Sequence, residues 1–164
     1  METSREPVRI EHLADHPEAI PTIARWHFDQ WGRKSPTRSV ASAAERLVGH
    51  LRRDATPLTM LAFAGDALVG SAALVCQDMK DARPELSPWL ADVFVEPARR
   101  RRGVASALVA ALVAKARVLG VETLHLYTPD QERLYARFGF VVLERIAYRD
   151  ERVAVMSLDL RGDG

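Results

Sequence analysis

Apolar and polar residues alternate from Val8 to Leu13, the two-residue period of a half-buried strand. The period then changes. In DHPEAIPTIARWHFDQW the apolar positions Ile20, Ile23, Ala24, Phe28 and Trp31 recur at helical spacing, which predicts a helix with Asp15 as its cap. GRKSPT breaks that pattern. A second helix is expected from about Val40 to Arg53, with Ala43, Ala44, Leu47, Val48 and Leu51 on one side. LTMLAFA and LVGSAALVCQDM flank Gly65 and Asp66, a two-residue connection suited to an antiparallel hairpin. After the polar loop KDARPELSP, WLADVFVEP reads as a strand halted at Pro97. Val104, Leu108, Leu112, Ala116 and Leu119 repeat at helical intervals, and Gly120 stands where a helix C-terminus is commonly capped. VETLHLYT is a strand, DQERLYARF a short helix after Pro129, and the last segment two strands turning near Arg149 and Asp150. The expected order is β, α, α, β, β, β, α, β, α, β, β, with no internal repeat or low-complexity linker.

At 164 residues and 48% hydrophobic content the chain suits one domain, residues 1–164, with a core of its own. Its 23 basic and 22 acidic side chains nearly cancel, so no overall field recruits nucleic acid or an anionic membrane. Attraction for an anion must be local. The lone Cys76 can form no internal disulfide and belongs to no metal-ligand spacing, which points to the reducing cytoplasm. METSREPVRI lacks the apolar run of an export signal, and no 18-residue apolar segment occurs. His12 and His16 have helical spacing but sit at a strand boundary beside Pro17, which disfavours a metal pair.

One stretch concentrates positive charge against a core helix: VFVEPARRRRGVASALV, Val93 to Val109. A strand ending at Glu96 and Pro97, a compact turn and a helix starting near Gly103 aim unsatisfied backbone N–H groups and the helix dipole at one point. Gly103 admits a close ligand, and small Ala105 and Ser106 keep the first helical turn uncrowded. Arginine side chains at 99 to 102 can add charge-assisted contacts to phosphate oxygens. Read instead as a nucleic-acid or localisation patch, the run lacks the basic face such binding needs. Other phosphate motifs fail: no GxGxxG follows a strand, and GDALVGSA has Ser71 where a Walker loop needs lysine.

The same stretch resembles motif A of the GNAT superfamily of N-acetyltransferases, in which Arg or Gln is followed after two residues by Gly and, one residue later, by Gly or Ala. Arg100, Gly103 and Ala105 occupy those places. ERLYARFGF, Glu132 to Phe140, is similar to motif B, a Tyr followed after three residues by Gly-Phe, and the element order is that of the GNAT fold. The resemblance spans roughly residues 58 to 147. It implies an α/β domain with a mixed, mostly antiparallel sheet of about seven strands and about four helices, splayed where acetyl-CoA enters. It further implies cofactor contacts from Val93, Phe94 and Val95 to the pantetheine arm. Arg100, Arg101, Arg102, Gly103, Val104, Ala105 and Ser106 would hold the pyrophosphate, with Gln131 added beside motif B. Many members carry Gly where Arg101 stands; its backbone can serve in their place with a negative φ.

Direct attack of an amine on a thioester needs the reactants held together, a proton acceptor for the ammonium and assistance to the departing thiolate, but no metal. Tyr135 matches the family tyrosine that protonates sulfur, against the alternative that it packs beside Phe138 and Phe140. Asp92 is a carboxylate inside LADVFV, costly unless it faces a polar cleft or finds a partner. It is the candidate base, with ammonium binding or a structural hydrogen bond as alternatives; Glu96, His125 and Tyr127 are other candidate bases. His125 and Tyr127 project opposite Leu124 and Leu126, as pocket lining or as a satisfied half-buried pair. Trp26, His27 and Trp31 form either an acceptor wall or core. Cys76, in an aliphatic strand with no base assigned, is a poor nucleophile candidate. The expected activity is acetylation of a small-molecule primary amine. The alternatives are protein N-terminal or lysine acetylation and a non-catalytic coenzyme A sensor; a homodimer is compatible with each.

Overall fold

The structure is a computed structural model that describes residues 7–161. Residues 1–6, which hold much of the stretch on which the expectation of no export signal rests, lie outside the described residues. Seven strands form one sheet: β1 (Arg9–His12), β2 (Leu58–Ala64), β3 (Ala67–Val75), β4 (Trp89–Val95), β5 (Thr123–Thr128), β6 (Val141–Tyr148) and β7 (Glu151–Asp159). Their order is β1-β2-β3-β4-β5-β7-β6, with every neighbouring pair antiparallel except β4 and β5. Four helices accompany it, α1 (Ile20–His27), α2 (Val40–Val48), α3 (Val104–Val118) and α4 (Glu132–Ala136). The element order and the mixed, mostly antiparallel sheet are as expected from the sequence. Among the described residues no helix is long and apolar enough to cross a membrane.

The sheet's two faces carry separate cores. Met60 and Ala62 of β2, Ala72 and Leu74 of β3, Leu90 and Val95 of β4 and Leu124 and Leu126 of β5 meet Val104, Leu108, Val109 and Leu112 of α3. A β-carbon on Gly70 would come within 2.8 Å of the Phe94 carbonyl and 3.2 Å of Val104 and Leu108, so glycine there lets α3 settle against β3. Truncating Leu108, fully buried, to alanine costs about 2–5 kcal/mol. On the other face α1 and α2 cover Leu61 through Ile23, Ala24 and Leu47. Trp89, Ala91, Tyr148 and Val155 continue that face.

Local chemistry moves some boundaries. Asp15 does not cap the first helix; two 3-10 turns, Leu13–Asp15 and Pro17–Ala19, precede α1, whose cap position is Ala19. Asp15 instead pairs with Arg53. Beyond α1 the chain widens into a π-helical turn, Phe28–Gly32, that carries Trp31. Ser39 caps α2 in a reciprocal box with Ser42, while the helix stops at Val48, short of Arg53, and leaves Val48 58% exposed.

Candidate active site

Strands β4 and β5 meet at one rung, Trp89 opposite His125, where the His125 N–H donates to the Pro88 carbonyl at 3.1 Å. Beyond it they part. On the β3 side the Glu96 N–H donates to the Val69 carbonyl at 2.9 Å, so the alternation of an antiparallel edge turns the backbone groups of Val93 and Val95 toward the gap. The Val95 carbonyl is already engaged by Arg100, whose Nε donates to it at 2.9 Å while its guanidinium lies 5.7 Å from the centre of the Phe94 ring. Arg100 therefore braces the turn against the strand.

The N-terminus of α3 follows this turn. Gly103, its cap residue, has φ of 87°, and no side chain caps the helix. The Ala107 N–H makes the first helical bond, to the Gly103 carbonyl at 3.0 Å, which leaves the N–H groups of Val104, Ala105 and Ser106 ahead of it. Arg101 also takes a left-handed conformation, φ of 66°, so the negative value on which service by its backbone was conditioned is not the one adopted; its backbone instead has the conformation a glycine there favours. A side chain there costs about 1 kcal/mol relative to the glycine common in the resembling motif. A pyrophosphate fits such a tip, because uncapped amides and the positive end of the dipole converge there.

Tyr135, on α4, is 7% exposed and set edge-on to Phe140 with ring centres 6.0 Å apart. Burial, then the charge of Asp130, pushes its hydroxyl up to about 12, so it keeps its proton at neutral pH. Gln131 immediately precedes α4; its N–H donates to Thr128 Oγ1 at 2.9 Å and its side chain is exposed.

The opposite face is set by a bulge. Ser71 pairs with Phe94 and Ala73 with Ala91, so Asp92 and Val93 together oppose Ala72, and Asp92 has φ of 58°. The extra residue sends Val93 and Val95 to the α3 face and leaves Asp92 facing α2. There Arg46 Nη1 stands 3.0 Å from Asp92 Oδ2, an ion contact without the alignment of a hydrogen bond, since Oδ2 has no hydrogen-bond partner. Arg46 Nη2 lies 3.3 Å from His27 Nδ1. Burial first, and Arg46 against the opposing pull of Asp92, hold His27 below the usual histidine range. His50, bonded to Thr59 Oγ1 at 2.9 Å, falls to about 4 for the same leading reason. Asp78 is driven the other way, to about 7, by burial and then by the charge of Asp92.

Phe94, expected at the cofactor, lies among aromatics: it stacks on Trp26 at 4.9 Å and meets the edge of Trp31 at 6.5 Å, and Trp31 in turn tilts against His27 at 5.3 Å. The structure thus brings Trp26, His27 and Trp31 together with Phe94 and Asp92. His125 and Tyr127 pack against Trp89, Tyr127 with the charges of Asp78 and Asp92 acting on its hydroxyl. His125 Nδ1 donates to the Pro88 carbonyl at 3.1 Å and its ring rests on Trp89, while Tyr127 packs edge-on to Trp89 and Tyr148. Burial raises the Tyr127 hydroxyl well above the usual phenol range.

A family model described as an acetyltransferase (GNAT) domain matches residues 57–142. The chain belongs to the GNAT acetyltransferase family. Comparison with curated protein sequences finds no match. In fold, this GNAT chain is similar to an aminoglycoside 6'-acetyltransferase type Ii, with a TM-score of 0.71 and 18% identity over 95% of this chain and 99% of that one. It is similar to yncA from Salmonella typhimurium, solved with its cofactor acetyl-CoA, with a TM-score of 0.70 and 17% identity over 95% of each chain. The spermidine/spermine N-acetyltransferase SpeG from Vibrio cholerae gives 0.67 at 16% identity over 94% of this chain and 95% of that one.

Sequence reasoning missed Arg46, His50, Thr59 and Asp78 on the α2 side of this GNAT domain. A signal existed for Thr59 and Ser71, polar residues inside the aliphatic runs LTMLAFA and LVGSAALV. None marked Arg46, which sits among the charged residues of an ordinary amphipathic helix, or Asp78, which lies in a loop.

Proposed function

We propose that this chain works as a single GNAT domain that transfers the acetyl group of acetyl-CoA to a primary amine of a small molecule, in the reducing cytoplasm that its lone cysteine suits. The observation that carries the reading is the gap beyond the Trp89 and His125 rung, with backbone groups of Val93 and Val95 along it and the uncapped tip of α3 beside it. Acetyl-CoA supplies an acyl group activated as a thioester. Amides of Arg101 to Ser106 hold its pyrophosphate, and backbone groups of Val93 and Val95 align its pantetheine arm, the Val95 carbonyl after release by Arg100. The arginine charge of the turn and Gln131 border the same path.

The amine nitrogen forms its bond to the acyl carbon as the carbon–sulfur bond breaks. The nitrogen's surplus proton passes to Asp92, directly or through water, and the Tyr135 hydroxyl gives its proton to the departing sulfur. Tyr135 suits that part because its hydroxyl stays protonated at neutral pH. Trp26, His27, Trp31 and Phe94 wall the acceptor side.

The test is thiol release from acetyl-CoA across amino acids, polyamines, aminoglycosides and peptides, run beside calorimetry of coenzyme A binding. Release with at least one small amine is the expected result. Binding without release from any acceptor would favour a sensing domain, and release with peptides alone a protein acetyltransferase.

A further inference from the structure

The α2 face of the bulge holds opposite charges and orphaned donors within one cluster. A guanidinium can only donate, so the contact of Arg46 Nη2 with His27 Nδ1 at 3.3 Å makes Nδ1 the acceptor. The proton of the neutral ring is then on Nε2. That Nε2–H is buried without a hydrogen-bond partner, on a residue only 5% exposed. Ser71 Oγ is equally unpartnered on a fully buried residue, across the ladder from Phe94. Asp92 Oδ2 completes the set, held by Arg46 at 3.0 Å through charge alone. Buried polar groups left in this state are costly, and a ligand that satisfies them recovers that cost.

We propose that the acceptor is a small amino carboxylate, an amino acid or a close analogue, whose ammonium lies on Asp92 and whose carboxylate takes the place of Asp92 on Arg46. The proposal rests on reading the domain as a small-amine acetyltransferase and names the substrate class of that site. A zwitterion entering the Arg46 and Asp92 contact exchanges partners with it, so each charge still meets its opposite and the net charge of the cluster does not change. A polyamine would instead press a second cation toward Arg46, with the positive charges of Arg38 and Arg149 near enough to act on neighbouring Asp78. The Nε2–H of His27, turned away from Arg46, donates and does not accept, so it favours an oxygen on the acceptor molecule over a second amine. Ser71, unpartnered on the same face, has a hydroxyl proton to offer an oxygen of the acceptor.

Pairs of acceptors that differ only in the carboxylate, alanine with ethylamine and lysine with cadaverine, test this by thiol release and by mass of the acetylated product. The expected result is a kcat/KM at least about tenfold higher for the amino carboxylate of each pair. Arg46→Gln should cut that member by about tenfold, mainly through KM, leave the plain amine within about threefold and so bring the gap within each pair to about threefold or less, with Arg46→Lys recovering part of the loss. An unchanged coenzyme A affinity shows that the variants are folded. Equal or better turnover of the plain amines, or a preference that survives Arg46→Gln, overturns the proposal. Turnover of polyamines or aminoglycosides alone overturns it while leaving the small-amine reading intact; no release from any acceptor by coenzyme A-binding protein overturns both.

Discussion

Arg46 Nη1 stands 3.0 Å from Asp92 Oδ2, and this fastens α2, an element without motif signature, to the residue that bulges β4. If Asp92 takes the amine proton, Asp92→Asn keeps the size of the side chain and removes the basic oxygen. Turnover should fall about 10² to 10³ fold with coenzyme A affinity within about twofold. Because Arg46 is 47% exposed, the stability change should stay below about 1 kcal/mol. Steady-state kinetics and calorimetry on the same preparation check both.

Tyr135→Phe deletes one hydroxyl from a buried ring that packs against Phe140. The expected loss is about 10² to 10⁴ in turnover, with little change in the affinity for coenzyme A. Single-turnover acetylation is the deciding measurement; an unaltered rate would remove the acid role from Tyr135.

Arg101 and Gly103 share a left-handed backbone, and their substitutions should act in opposite directions. Arg101→Gly relieves strain but frees the unfolded chain, for a net gain of up to about 1 kcal/mol. Gly103→Ala forces a β-carbon into φ of 87°, costs about 1 kcal/mol or more, and should weaken coenzyme A binding about tenfold. Thermal unfolding with and without coenzyme A separates the two effects.

Stability should respond to pH through two groups of opposite sign. Asp78, raised to about 7 in the fold, is protonated there while ionised in the unfolded chain between about 3.8 and 7, so it removes stability as pH rises through that window. His50, lowered to about 4, is neutral in the fold while charged in the unfolded chain between about 4 and 6.5, so it adds stability as pH rises. The two nearly cancel. Asp78→Asn should therefore expose a stability that climbs between pH 4.5 and 6 by up to about 1.4 kcal/mol per pH unit for each titrating histidine. Denaturant unfolding at stepped pH reads that slope directly, and His27, also lowered, steepens it.

The donor half of the site is the legible half. Arg100, Gly103 and Ala105 lie within six consecutive residues, and the α3 pattern from Val104 to Ala116 is long and regular, so local sequence determines both tip and helix. The proposed acceptor half draws on positions far apart in the chain: His27, Arg46, Thr59, Ser71, Asp78 and Asp92 come to one face of the sheet only after α1 and α2 fold across it. Period counting also assumes strict alternation in β4, whereas the bulge adds one residue and decouples Leu90 from Phe94. Asp15 was legible as a helix-capping type but not as the partner of Arg53, a contact that spans 38 positions.

The single rung between Trp89 and His125 makes the sheet two half-sheets that share little backbone pairing. Past that rung, an acyl carrier lying along Val93 and Val95 would occupy the place of the missing strand partner. Its arrival would then stitch the halves into one continuous layer, and the co-substrate would be a piece of the protein's tertiary structure, borrowed for each turnover and surrendered with the product.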